Sequence, residues 1–267
     1  MSDLHLELSQ QYGTFDFPAA APYLILAGDI GRLIDYEAFL QFLARQTERY
    51  QHVFLVLGNH EFYNMDHATG ISTARKLEEE PVLGGKLSLL HQTRRDVDVG
   101  ETVVSVLGCT LWSRIPDDAA DAVRSRVQDF QRIYDWTVER HNAEHEADLQ
   151  WLQDELGVIA RDEPRRAVIV VTHHAPSIRE ASRPEHMGSP ITRAFATDLL
   201  SSGDWSRVRY WIYGHTHFST EFEKGSVTVV SNQRGYVLPG TNVPMNGKKD
   251  TGRHEFSAEK VIRIDER

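Results

Sequence analysis

The stretch HVFLVLGNHE, residues 52–61, runs through five apolar residues, stops at Gly58 and gives way to Asn59, His60 and Glu61. A run this short and this continuously apolar reads as a strand buried on both faces. A polar cluster does not belong inside an apolar layer, so it marks the strand's end. Three other stretches repeat the pattern. PYLILAGDIG (22–31) ends in Asp29, RRAVIVVTHHAP (165–176) in His173 and His174, and VRYWIYGHTH (208–217) in His215 and His217. In open α/β sheets ligands bind beyond the carboxyl ends of the strands, so four such ends predict one polar site.

Helical periodicity lies between and around these strands. DYEAFLQFLARQTERY (35–50) spaces Phe39, Phe42 and Leu43 on one face. DHATGISTARKLEEE (66–80) reads as a helix halted before Pro81. Residues 139–157 predict a further helix, with Leu149, Leu152 and Leu156 aligned and Gly157 as the stop. LSLL, DVDV and TVVSVLGCTLW (87–112) are strand candidates expected to form an antiparallel segment. FSTEFEKGSVTVVSN (218–232) reads as a hairpin turning near Gly225. Residues 113–137 show no clean period, and beyond Pro239 the chain is polar and turn-rich. No internal repeat or domain boundary interrupts the pattern, which predicts an α/β or α+β domain with a largely parallel, buried sheet.

Composition narrows the function. The net charge of -10 and the lack of a basic stripe argue against a nucleic-acid partner, yet leave room for a small anion near a local positive centre. Cys109 is the sole cysteine and follows a strand-like run, so no disulfide or thiolate cluster is possible within the chain. No apolar run approaches the ~20 residues of a membrane span. With no basic-then-apolar leader at its start, the expected location is the cytoplasm. Oligomeric state leaves no signature.

Asp3 and His5, in MSDLHLE, add a fifth group two residues apart and on one side of an extended chain. Carboxylate, amide and imidazole donors without sulfur suit Mn, Fe, Zn or Co. Two such ions close together need an anionic bridge, which a carboxylate such as Asp29 supplies.

SDLH, AGDIG, LGNHE, VTHH and YGHTH, in that order between residues 2 and 217, resemble the motif set of the calcineurin-like metallophosphoesterases. The flanking GNHEFYN, GCTLW, HHAPS and NQRGY look most like a bacterial cytoplasmic branch. The resemblance implies a four-layer α/β/β/α sandwich of two mixed sheets with flanking helices, over residues 1–238 with a polar tail at 239–267. It implies two divalent metal ions (Mn, Fe or Zn). One would be held by Asp3, His5, Asp29 and His217, and the other by Asp29, Asn59, His173 and His215. His60 would be the proton donor to the leaving oxygen. The expected reaction is hydrolysis of a phosphodiester or phosphomonoester of a small molecule, such as a nucleotide, by hydroxide held between the metals. A nuclease, or a binding scaffold that has lost catalysis, is the alternative reading.

Other residues carry weaker expectations. His174 and Arg234 are candidate substrate contacts, each with a structural role as alternative. Glu61 is expected near the ligands rather than on a metal. His141 and His145, four apart on a helix, are expected on its solvated face. Trp112, Phe130, Tyr134 and Trp136 are expected mostly in the core. The family's apolar strand before the first motif has no counterpart here. Asp3 and His5 are therefore expected to lack rigid support, weakening the metal site they serve.

Overall fold

A computed structural model describes residues 1–186, 188–237 and 254–264. Strands β1 (Tyr23–Ala27), β2 (His52–Val56) and β3 (Leu87–Leu89) form an all-parallel sheet in that order. The second sheet has six strands: β4 (Thr93–Val99), β5 (Thr102–Cys109), β6 (Ala167–Thr172), β7 (Val208–Tyr213), β8 (Glu221–Lys224) and β9 (Val227–Ser231). Its order is β4-β5-β6-β7-β9-β8, with parallel pairs in the middle and an antiparallel pair at each edge. The helices are α1 (Tyr36–Arg49), α2 (His67–Glu78), α3 (Ala120–Arg126), α4 (Asp129–Arg132) and α5 (Val138–Asp162).

The period of two along each strand builds the layers. Leu24, Leu26, Val53 and Leu55 face Phe39, Phe42 and Leu43 of α1 and Ala74 and Leu77 of α2. Ala27, Phe54 and Val56, on the opposite face, meet Val104, Val106, Ile169, Val171 and Ile212 of the six-stranded sheet. That sheet turns Val168, Val170, Trp211 and Tyr213 outward against Leu152, Leu156 and Ile159 of α5. Four layers result, α/β/β/α. The central strands read as continuous apolar runs because both of their faces are covered.

Three local expectations fail for physical reasons. β3 pairs parallel with β2 rather than joining the antiparallel segment, because the left-handed turn at Gln92 (φ 47°) carries the chain from one sheet to the other. Gly157 does not stop α5. It is exposed, costs about 1 kcal/mol against alanine, and is outweighed by burial of Ile159 two residues on; Pro164 follows the helix end instead. His141 and His145 are buried, not solvated. The face of α5 that carries them packs over Trp112 and Ser113. His145 Nδ1 donates to the carbonyl of Trp112 (2.6 Å), and His141 Nε2 accepts from the Ser113 amide (3.2 Å).

The chain start is not loose. Ala27 N donates to Met1 O, and Asp3, His5 and Leu6 donate to the carbonyls of Gly28, Asp29 and Ile30, at 2.9–3.0 Å. On the other side Ser2 N donates to Asn232 O and Arg234 N to Ser2 O. Met1–Asp3 thus lie between β1 and the chain following β9, and the expectation of unsupported ligands is overturned. Next to Met1 an apolar cavity of 490 Å³ opens between the sheets, lined by Ile25, Phe54, Val104, Ile169 and Ile212 among others. Residues 254–264 pack back on the fold: Ile262 and Ile264 reach the layer between the sheets, and Lys260 pairs with Glu221. The expected boundary at 238/239 lies outside the described residues. Among the described residues no helix is long and apolar enough to cross a membrane.

Candidate metal centre

The parallel strands β1, β2, β6 and β7 end at one edge of the molecule, and the four predicted polar clusters follow those ends. The chain there is not extended. Asp3, His5, Asp29, His215 and His217 all have φ between 47° and 71°. Such left-handed backbone costs of order ~1 kcal/mol per residue and persists only where surrounding structure imposes it. In Asp3-Leu-His5 and His215-Thr-His217 it turns the side chains inward more sharply than extended chain would. Glycine makes room. A Cβ on Gly58 would lie 2.3 Å from Asp29 Oδ1, and one on Gly28 2.3 Å from His173 Nδ1.

Two groups of donors share Asp29. Ligand atoms of Asp3, His5, Asp29 and His217 lie within 4.8 Å of one another, and so do those of Asp29, His173 and His215. The two oxygens of Asp29 divide between them. Oδ2 is 3.9 Å from His5 Nε2, and Oδ1 is 3.4 Å from His173 Nε2. Asn59 completes the second group, with Oδ1 3.1 Å from His173 Nε2. Its orientation is set from behind, where Nδ2 donates to Asp129 Oδ1 (2.7 Å) and Tyr63 OH (3.0 Å).

The donor set fits a cation. His173 Nδ1 donates to Ala27 O at 3.0 Å, so in its neutral form the ring turns a bare Nε2 toward Asp29 Oδ1, Asn59 Oδ1 and His215 Nδ1 (3.1 Å). Asn59 Oδ1 and Asp29 Oδ1 are acceptors too. Acceptors facing one another at this range repel unless positive charge sits among them. The ring's basicity reflects the same deficit: burial opposes charge on His173, but the Asp29 carboxylate overcomes it and raises the pKa to about 10. In the other group His5 Nε2 and His217 Nε2 are 2.9 Å apart, with His217 Nε2 3.4 Å from Asp3 Oδ1.

Glu61 is occupied by backbone amides. It is fully buried, and its carboxylate accepts from the amides of Asp29 (3.0 Å), Ile30 (2.8 Å), Gly31 (3.3 Å) and Gly58 (2.6 Å), clamping the loops after β1 and β2 together. Asp3 ties two further segments, accepting from the His215 amide at 3.0 Å. His60 borders the cluster, with Nδ1 2.8 Å from Glu7 Oε1 and Nε2 3.9 Å from Asp29 Oδ2 and 3.0 Å from Tyr236 OH. Beyond lies a cleft of 430 Å³ whose walls include Asp29, Asn59, His60, His215, His217, Tyr236, Arg126 and Arg183.

The two candidate substrate contacts lie elsewhere. His174 is buried behind His215, rings 4.1 Å apart, and against Trp112. Arg234 is buried beneath the first motif, donating to Leu4 O (3.2 Å) and Gln11 Oε1 (3.0 Å) over the ring of Phe15. Trp112 and Trp136 pack together in the core with ring centroids 4.5 Å apart and planes tilted by 44°, whereas Tyr134 is exposed. Sequence reasoning missed Glu7, Tyr63, Asp129 and Tyr236. Only Glu7 left a usable signal, an acid two residues after His5 in the first motif.

The calcineurin-like phosphoesterase family model matches residues 1–219. A curated relative, uncharacterized protein L509 of Acanthamoeba polyphaga mimivirus, is 25% identical, covering 88% of this chain and 90% of its own. Among solved structures, the phosphopantetheinyl hydrolase of Mycobacterium tuberculosis superposes with a TM-score of 0.61 at 14% identity, covering 88% of each chain. At that identity the likeness is one of fold.

Proposed function

Because this chain belongs to the calcineurin-like phosphoesterases, we propose that it hydrolyses a phosphomonoester or phosphodiester of a small molecule, such as a nucleotide, at a centre of two divalent ions (Mn, Fe or Zn). The observation that carries this reading is the division of Asp29 between two converging donor groups. In this reading residues 1–238 are the phosphoesterase domain. Asp3, His5 and His217 hold one ion, Asn59, His173 and His215 the other, and Asp29 lies between. When bound, such a pair neutralises phosphoryl oxygens and lowers the pKa of water toward neutrality.

The chain's own residues supply the rest. His60 reaches the cleft with Nε2, where a leaving oxygen needs a proton. Without metal, burial disfavours its charge but Asp29 and Glu7 outweigh that and raise its pKa to about 9; of the two, Glu7 lies outside both ligand sets and accepts from Nδ1 at 2.8 Å, which favours the protonated ring. Arg126 and Arg183 on the cleft wall suit an anionic ester, and 430 Å³ suits a small one.

A screen of chelated and Mn-reconstituted protein on nitrophenyl mono- and diesters, followed by a nucleotide panel, tests the proposal. Chelation should abolish hydrolysis and Mn should restore it. Full activity in verified metal-free protein, or none in reconstituted protein on any ester, would overturn it.

A further inference from the structure

Glu7 occupies a position that none of the five motifs covers. Its carboxylate is buried between two imidazoles. Oε1 lies 2.8 Å from His60 Nδ1 and 3.3 Å from His5 Nδ1, and the two rings are edge to face with centroids 4.4 Å apart. The backbone that carries it is pinned on both sides. His5 and Leu6 donate to the loop after β1, Gln11 N donates to Leu6 O, and Arg234 bonds Leu4 O and the Gln11 side chain.

An ionised carboxylate only accepts hydrogen bonds, so each Nδ1 it meets must carry a hydrogen. Both rings therefore direct Nε2 away from Glu7. For His5 that atom enters the first donor group, 2.9 Å from His217 Nε2. For His60 it enters the cleft beside Tyr236 OH. A carboxylate behind a ligating imidazole fixes its tautomer and raises its basicity as a ligand. Here one oxygen does so for a candidate ligand and for the candidate proton donor at once.

We propose that Glu7 is a positioning residue shared by the first cation site and the leaving-group site, setting the ring orientation and Nδ1 protonation of both His5 and His60. The part concerning the leaving group rests on the phosphoesterase reading; the part concerning the two rings does not.

The test uses the full chain and Glu7→Gln. In metal-free wild type, nitrogen-15 NMR of the imidazoles should show hydrogen-bonded Nδ1–H groups on both His5 and His60, with slow solvent exchange. In Glu7→Gln, whose uncharged amide oxygen is a weaker acceptor than a carboxylate, both should exchange faster with solvent. Mn titration should show one of two ions bound 10–100-fold more weakly and the other unchanged. Turnover should fall in kcat rather than KM, and more for an alkyl ester than for a nitrophenyl ester. Faster exchange at one ring only, or unchanged affinity for both ions, would overturn the shared role. If Glu7→Gln fails to fold, wild type alone still decides: a His5 or His60 without Nδ1–H refutes the proposal. Wild type that binds two ions, shows both Nδ1–H groups and hydrolyses no ester would refute the phosphoesterase reading and leave the ring assignment standing.

Discussion

Acid should unfold this protein partly through His141, on the face of α5 that looked solvated. The ring is fully buried against Trp112 and Trp136, and its Nε2 is committed to accepting the Ser113 amide. Burial, with a smaller push from His145, lowers its pKa from 6.5 to about 3. A base with a depressed folded-state value binds fewer protons folded than unfolded. Its contribution is therefore complete above pH 6.5 and lost as pH falls toward 3. At about 1.4 kcal/mol per unit the full span is about 5 kcal/mol, of which about 2 kcal/mol disappears between pH 7 and pH 5. The perturbation is His141→Gln, which keeps an acceptor for Ser113 and removes the titration. It should cost about 1–3 kcal/mol at pH 7 through lost packing. Urea unfolding at both pH values, in chelator so that metal release plays no part, gives the comparison. Stability should drop between pH 7 and pH 5 by about 2 kcal/mol less in the variant than in wild type. Equal drops would show that His141 is not held neutral by burial, and the argument would be wrong.

Two further substitutions probe the centre. His60→Asn should keep near-normal metal content while kcat falls by about 10²–10⁴, with a smaller loss for nitrophenolate leaving groups; an equal loss for good and poor leaving groups would refute the proton-donor role. Gly58→Ala places a methyl 2.3 Å from Asp29 Oδ1 and 2.6 Å from the Asp29 amide. It should destabilise the protein by about 1–3 kcal/mol and weaken binding of both ions by at least ~10-fold, as read by calorimetry with Mn.

The metal-site candidates were legible because they stand at the ends of buried strands. Composition alone marks β1, β2, β6 and β7, and parallel strands bring their carboxyl ends to one edge. What holds those residues was not legible. The amides of Asp3 and His5 are met by carbonyls of Gly28 and Asp29, about 25 residues on, and local chain length said nothing of that. Asp129, which orients Asn59, comes from the aperiodic stretch 113–137, where only tertiary contact selects one acid among several. His141 and His145 misled because charged neighbours surround them in sequence, while the helix rotates both onto the Trp112 side. Gly157 misled because its helix cost is small beside the burial of Ile159.

Anomalous diffraction at the manganese edge, from crystals of the Mn-reconstituted protein, tests the central claim most directly. The expected result is two peaks ~3.5–4 Å apart, one among Asp3, His5, Asp29 and His217, the other among Asp29, Asn59, His173 and His215. A single peak, or two that do not share Asp29, would contradict it.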